Sequence, residues 1–270
     1  MRRGVLAAVV GVTAFLLASA PGVATAERAT AGESAARAAA GESAARAAAD
    51  KRAADVRLPA AGEAALSRVL VRSAPRRGAR RIGAMSRLRF DYRPTVFFVI
   101  GRKRDGGAGP VWLRIRVPGR PNGQTGWVQA SALRGLHYVG GRQLVVDRSK
   151  REIRLLARGG SRGGNRGRSR TLVRAPLAVG KPGAPTPLGS FYLTAAFRPD
   201  DSFLGPWAFE TSAYAAISDW PQGGIVGLHG TSEPSSIGHE ASHGCLRVYN
   251  SVILKLKRLV GPGTPLLIKR

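Results

Sequence analysis

A mainly β chain of two modest domains, placed behind an export signal and an alanine-rich spacer, is predicted by three features of the 270 residues. Short β-branched and aromatic runs separated by Gly, Pro and Asn turns recur from residue 65 to the end. One stretch near the C-terminus has helical spacing, and residues 1–26 are laid out as a signal peptide.

In order, Arg2 and Arg3 precede an apolar run from Val5 to Ala20, and Ala24-Thr25-Ala26 has the small-x-small pattern that a signal peptidase cuts. The chain is therefore expected to be exported, with retention by an uncleaved apolar segment as the other route. Residues 27–64 form a spacer in which AGESAARAA over Ala31–Ala39 repeats letter for letter over Ala40–Ala48, a nine-residue period. The repeat has no large apolar side chain to bury and reads as a linker, helical at most in pieces.

Residues 65–138 carry strand signals at Val69–Val71, Thr95–Ile100 and Trp112–Val117, then a turn at Arg120-Pro121-Asn122-Gly123 and a closing strand at Thr125–Val128. This segment resembles the bacterial SH3-like small β-barrel, in which a Gly-Trp-Val strand follows a Trp-containing strand. Trp112 and Trp127 are expected to pack the core. Residues 139–270 also read as β, with Gln143–Asp147 and Glu152–Ala157 paired about a turn at Asp147–Lys150, and strands at Thr171–Val173, Leu177–Val179 and Pro265–Lys269. Gly159–Ser169 has no apolar side chain and reads as a surface loop, while Gly180–Phe191 is too rich in Pro and Gly for a central strand. Ser251–Val260 is the helical stretch, with Val252, Leu256 and Leu259 on one face and Gly261-Pro262-Gly263 as its stop.

The chain holds a single cysteine, Cys245, in Ser242-His243-Gly244-Cys245-Leu246-Arg247-Val248, and His229 lies upstream in Leu228-His229-Gly230-Thr231. A thiolate is a strong nucleophile that needs an imidazole to take its proton and backbone N–H groups to hold the oxyanion it creates. With no second cysteine there is no internal disulfide, so in an exported chain the thiol is a candidate for reaction.

Val179–Phe191 (VGKPGAPTPLGSF), Leu228–Thr231 (LHGT) and Ser242–Val248 (SHGCLRV) occur in the order and approximate spacing of the YkuD-type L,D-transpeptidases, and residues 139–270 resemble that family. The resemblance implies a β-sandwich-like catalytic domain. It also implies an enzyme of the cell wall or extracytoplasmic space that attacks the stem peptide of peptidoglycan. Such an enzyme forms a thioester on Cys245, releases D-alanine and passes the acyl group to an amine. Carbapenem-type β-lactams are then expected to form an adduct, and neither cofactor nor metal is implied.

Within that frame Cys245 is the nucleophile. His229, sixteen positions upstream at the end of the apolar run Ile225–Leu228, is the expected base. The resemblance supplies the Gly230 carbonyl as the group orienting His229. The N–H groups of Gly244 and Cys245 are oxyanion candidates. Arg247 is expected either to bind a substrate carboxylate or to brace the site through local hydrogen bonds. His243 tunes the thiolate, braces the turn or rivals His229 as base. Ser242 orients the turn and, with Arg247, Gly230 and Tyr214, makes up the expected substrate-contacting set. Trp207 and Tyr214 are cleft or core aromatics, and His239 is a solvated loop residue.

His229, His239, His243 and Cys245 are zinc-ligand types, but the Ser-His-Gly-Cys stretch has no helical pattern and no second cysteine completes a set. A wall-polymer-binding protein with little catalytic activity is the remaining alternative. The net charge of +27 either reflects compositional enrichment in Ala, Arg and Gly or favours anionic partners, which for an exported chain are wall polymers, stem-peptide carboxylates or anionic lipid headgroups and not nucleic acid.

Overall fold

The computed structural model describes residues 21–107, 109–159, 169–216 and 221–270. Residues 1–20 of the expected signal peptide and 160–168 of the expected surface loop lie outside the described residues. The chain divides into two compact units, Met1–Ala44 and Ala45–Arg270.

Helix α1 is continuous over 35 residues from Pro21 to Asp55, so the spacer is helical without a break as far as Asp55, where its composition suggested a linker helical at most in pieces. Alanine has the highest helix propensity, and the repeat sets Glu33 four residues before Arg37 and Glu42 four before Arg46, the favourable order for helix charge pairs. In the second unit, the last turns of α1 bury Ala49 and Ala53, and Asp50 Oδ1 accepts the Val111 N–H at 3.1 Å.

Strands β1 (Ala60–Ala64), β2 (Arg68–Arg72), β3 (Arg81–Ser86), β4 (Val96–Arg104), β5 (Val111–Arg116), β6 (Thr125–Gln129) and β7 (Leu133–Tyr138) form an antiparallel sheet in the order β3-β2-β6-β5-β4-β1-β7. The spacer was expected to reach residue 64, yet β1 pairs on both sides, with β4 and β7. Its small residues carry little strand propensity, and tertiary pairing decides their state. Val69, Val71, Phe97, Val99, Leu113 and Ile115 are among the residues that fill the core of this sheet. Trp112 is buried, and Trp127 is half-buried.

The remaining strands are β8 (Arg142–Asp147), β9 (Glu152–Arg158), β10 (Ser169–Pro176), β11 (Val179–Gly180), β12 (Gly189–Phe197), β13 (Ala208–Tyr214), β14 (Ile225–His229), β15 (Glu240–Ser242), β16 (Leu246–Arg247) and β17 (Pro265–Lys269). A second helix, α2 (Asn250–Lys257), buries Ile253 and Leu256. The ladder runs through eight strands, β10-β9-β8-β17-β12-β13-β14-β16, with β11 and β15 paired separately. One core joins strands from both ends of that ladder to α2. Gly189-Ser190-Phe191, expected outside any central strand, open β12 between β17 and β13, because the run of prolines ends at Pro187.

Alternation along β12, β13 and β14 sends Leu193, Phe209 and Leu228 into the core and Tyr192, Glu210 and His229 to the other face. Segments from the first sheet reach residues of that second face. The Tyr192 hydroxyl donates to the Val96 carbonyl at 3.0 Å, and its ring stacks on Phe98 with centroids 5.4 Å apart. Arg89 pairs with the buried carboxylate of Glu210. Asn122 brackets the Tyr214 backbone with two hydrogen bonds of 2.8 and 2.9 Å.

Arg89→Met leaves the Glu210 charge buried without its partner and should cost about 3–5 kcal/mol of stability, whereas the R89M/E210M double variant should recover most of that loss. Urea unfolding of the two variants checks this, and an unchanged midpoint for R89M contradicts it.

Candidate active site

Strand β14 ends at His229 and pairs in parallel with β16, with Leu228 opposite Leu246 and His229 opposite Arg247. The residue before β16 is Cys245, so the ladder brings the thiol alongside Gly227, whose N–H donates to Cys245 Sγ at 3.3 Å. A Cβ placed on Gly227 would lie 3.4 Å from His229 Cδ2 and 3.7 Å from Cys245 Sγ, so imidazole and thiol flank the same point. Glycine at position 227 keeps that space open, the meaning a glycine inside a strand often has.

His229 is buried, and its Nδ1 lies 2.6 Å from the Gly230 carbonyl oxygen. A carbonyl only accepts, so Nδ1 carries the hydrogen and Nε2, the nitrogen bonded to Cδ2, is left as an acceptor. Burial pushes the imidazole down to about 4, against the Gly230 hydrogen bond, which favours the charged ring, and with the Arg247 charge, which opposes it. Burial also pushes the Cys245 thiol up, countered by the Gly227 N–H and by Arg247. The resting pair at neutral pH is therefore thiol and neutral imidazole.

The turn before Cys245 is held group by group. Ser242 Oγ accepts the Gly244 N–H at 3.1 Å and donates to the Cys245 carbonyl at 2.7 Å. Thr186 Oγ1 donates to the Gly244 carbonyl at 2.9 Å. Gly244 sits at φ +117, and a Cβ there would come within 2.9 Å of Ala215 Cβ, so both conformation and space demand glycine. The Gly244 N–H is thus engaged by Ser242, whose hydroxyl orients the turn.

The pocket over the thiol, about 40 Å³, is lined by Phe203, Ala215, His229, His243 and Arg247 among others. Arg247 is buried, pairs with Glu233 at 2.8 Å and lies 4.6 Å over the Phe203 ring, so it braces the site locally. His243 is exposed at the pocket rim, and His239 is exposed on its loop. Tyr214 lies outside this pocket, in the neighbouring open groove with Arg120, Pro121, Pro185 and Pro187. Trp207 packs against the core, edge-on to Phe209. Among the described residues no group of three or more His, Cys, Asp or Glu gathers as a metal site.

Three residues with structural roles at the site were absent from the sequence reading. Gly227 was legible as a glycine interrupting an apolar strand. Asn250 and Thr186 were not, since their roles depend on distant partners. Asn250 Oδ1 accepts the Thr231 N–H at 2.9 Å, which fixes the peptide whose carbonyl orients His229.

Residues 141–268 match the family model YkuD, the L,D-transpeptidase catalytic domain. The chain is 33% identical over 103 residues to YkuD of Bacillus subtilis (strain 168), covering 38% of this chain and 56% of that protein. It is 34% identical over 98 residues to YkuD of Bacillus licheniformis, covering 36% and 53%. The chain thus spans about half the length of these relatives. Among solved structures, Bd1075 of Bdellovibrio bacteriovorus superposes with a TM-score of 0.37 at 26% identity over 48% of each chain. L,D-transpeptidase 3 from Mycobacterium tuberculosis superposes with a TM-score of 0.37 at 14% identity, over 60% of this chain and 92% of the other.

Gly227→Ala should fold, because the added methyl meets its neighbours at contact distance, yet slow acyl transfer to Cys245 at least tenfold by filling the space between ring and thiol. Stopped-flow acylation beside a thermal melt checks both halves. The buried imidazole also makes stability depend on pH. The unfolded ring takes its proton near 6.5 and the folded ring near 4, so the unfolded state binds more protons between them and stability falls as pH drops through that window. The expected loss is about 3 kcal/mol, and His229→Gln should lack it, as urea unfolding at neutral pH and near pH 4 would show.

Proposed function

We propose that the L,D-transpeptidase catalytic domain over residues 141–268 makes this chain a cell-wall acyltransferase with Cys245 as nucleophile. The observation that carries the reading is the thiol and the Nδ1-tethered imidazole flanking the same point beside Gly227. The donor is a peptidoglycan tetrapeptide stem. Cys245 Sγ attacks the carbonyl of the third residue, and the thiol proton passes to His229 Nε2. As the C–N bond breaks, His229 returns that proton to the leaving amine, and D-alanine departs. An acceptor amine then attacks the thioester, its proton passing through His229 to the sulfur as the C–S bond breaks. An amine on the third residue of a second stem makes the product a cross-link between third residues.

Because resting thiol and imidazole are both neutral, proton transfer accompanies attack and does not precede it. The Arg247 charge favours the thiolate character that develops, and the Cys245 N–H is the donor available to the oxyanion. A carbapenem presents a strained amide to the same sulfur and acylates it. Residues 1–26 support an exported protein, and residues 65–138, read as an SH3-like module, present Arg76, Arg77, Arg80 and Arg81 exposed around the β2–β3 turn to anionic wall polymers.

Incubation with a tetrapeptide-stem muropeptide should give, by mass spectrometry, an acyl-enzyme on Cys245 and a dimer joined between third residues. Cys245→Ala should give neither while keeping its melting temperature. Turnover by that variant above a few per cent of wild type rules out the nucleophile assignment.

A further inference from the structure

We propose that Thr186 is a positioning residue for acyl transfer, aiming the Cys245 N–H at the oxyanion by holding the other side of the same peptide unit. This rests on the reading of Cys245 as the acylated nucleophile.

Thr186 lies in the connection between β11 and β12 and is fully buried. Its hydroxyl links two distant segments, accepting the Gly180 N–H at 2.8 Å and donating to the Gly244 carbonyl at 2.9 Å. The backbone that delivers it is packed hard on Gly180, where a Cβ would meet the Ala184 oxygen at 2.2 Å and the Thr186 nitrogen at 2.5 Å. The hydroxyl is thus presented by a fixed frame.

The Gly244 carbonyl and the Cys245 N–H belong to one trans peptide, so they point in opposite directions. Anchoring the oxygen on Thr186 turns the N–H away from that loop. Buried backbone groups need partners, and those of the turn can be accounted for singly. The Gly244 N–H and the Cys245 carbonyl are held by Ser242, and the Gly244 carbonyl by Thr186. Of the four backbone groups of Gly244 and Cys245, the Cys245 N–H is the one left without a partner among the described residues. It belongs to the residue whose sulfur bonds the substrate carbon, so the tetrahedral oxygen forms within its reach.

Ser242 cannot substitute for Thr186, since it fixes the peptides before and after and not the one between. Without the Thr186 hydroxyl the middle peptide can rotate, and the oxyanion donor loses its aim while thiol and imidazole stay in place.

The test compares two reactions of the same sulfur in the full chain. Acylation by a carbapenem creates an oxyanion, whereas alkylation by iodoacetamide displaces iodide and creates none. Thr186→Val should lower the carbapenem acylation rate constant by roughly 10- to 100-fold, short of the loss of a donor outright. Its iodoacetamide rate at the same pH should stay within about twofold of wild type. Thr186→Ser keeps the hydroxyl and should restore acylation to within about threefold, and Thr186→Ala is a second hydroxyl-free variant with the same expected split should the valine variant not fold. Equal slowing of both reactions, or unchanged acylation in a hydroxyl-free variant, overturns the role. Failure of the nucleophile reading appears instead in the wild type, as a chain alkylated but never acylated, and removes the Thr186 role with it.

Discussion

The parallel pairing of β14 with β16 is the contact on which the site depends. It is short, two residues on each strand, yet it sets His229 opposite Arg247 and leaves Cys245 beside Gly227. So brief a ladder needs support from outside. The Val248 N–H donates to the His229 carbonyl at 3.0 Å, extending the pairing on one side. On the other, Ala178 and Arg247 exchange backbone hydrogen bonds, and β11 pairs with β15 just before the turn. Cys245 is thereby clamped between segments near residues 178 and 228, and its position is a property of the whole sheet.

Electrostatics then follows from burial. A thiol pushed up and an imidazole pushed down resist forming an ion pair, so the arrangement stores no charge before substrate arrives. Arg247 acts on both groups in the sense expected of a nearby cation, favouring thiolate and disfavouring imidazolium. The Gly230 carbonyl fixes the ring tautomer, and Asn250 fixes that carbonyl through the Thr231 N–H. Each reactive side chain is thus aimed by a neighbouring peptide unit that a distant side chain holds in place.

Much of this was legible in the sequence because it is local. Alternating apolar runs give β5, β8, β9 and β17 close to their observed ends, and α2 follows from its one-sided apolar spacing. The SHGC and LHGT strings single out Cys245 and His229 because reactive side chains cluster in few places in so plain a composition. What was missed is nonlocal. β1 is made of Ala, Gly and Glu, and only its two partners make it a strand. The continuity of α1 escaped a reading that looked for large apolar residues, when alanine propensity and charge spacing were sufficient. The hold of Ser242 on the Gly244 N–H depends on the turn's geometry, and Thr186 is tied to Gly244 across 58 positions.

The dyad rests uncharged, a thiol and a neutral Nδ1-protonated imidazole. Ultraviolet titration of thiolate absorbance, with Cys245→Ser as the blank, tests it most directly. No thiolate signal is expected at neutral pH, and a single rise at alkaline pH, above the ordinary thiol range. Thiolate already present at neutral pH and lost only in acid, as His229 and Cys245 titrate together, would contradict it.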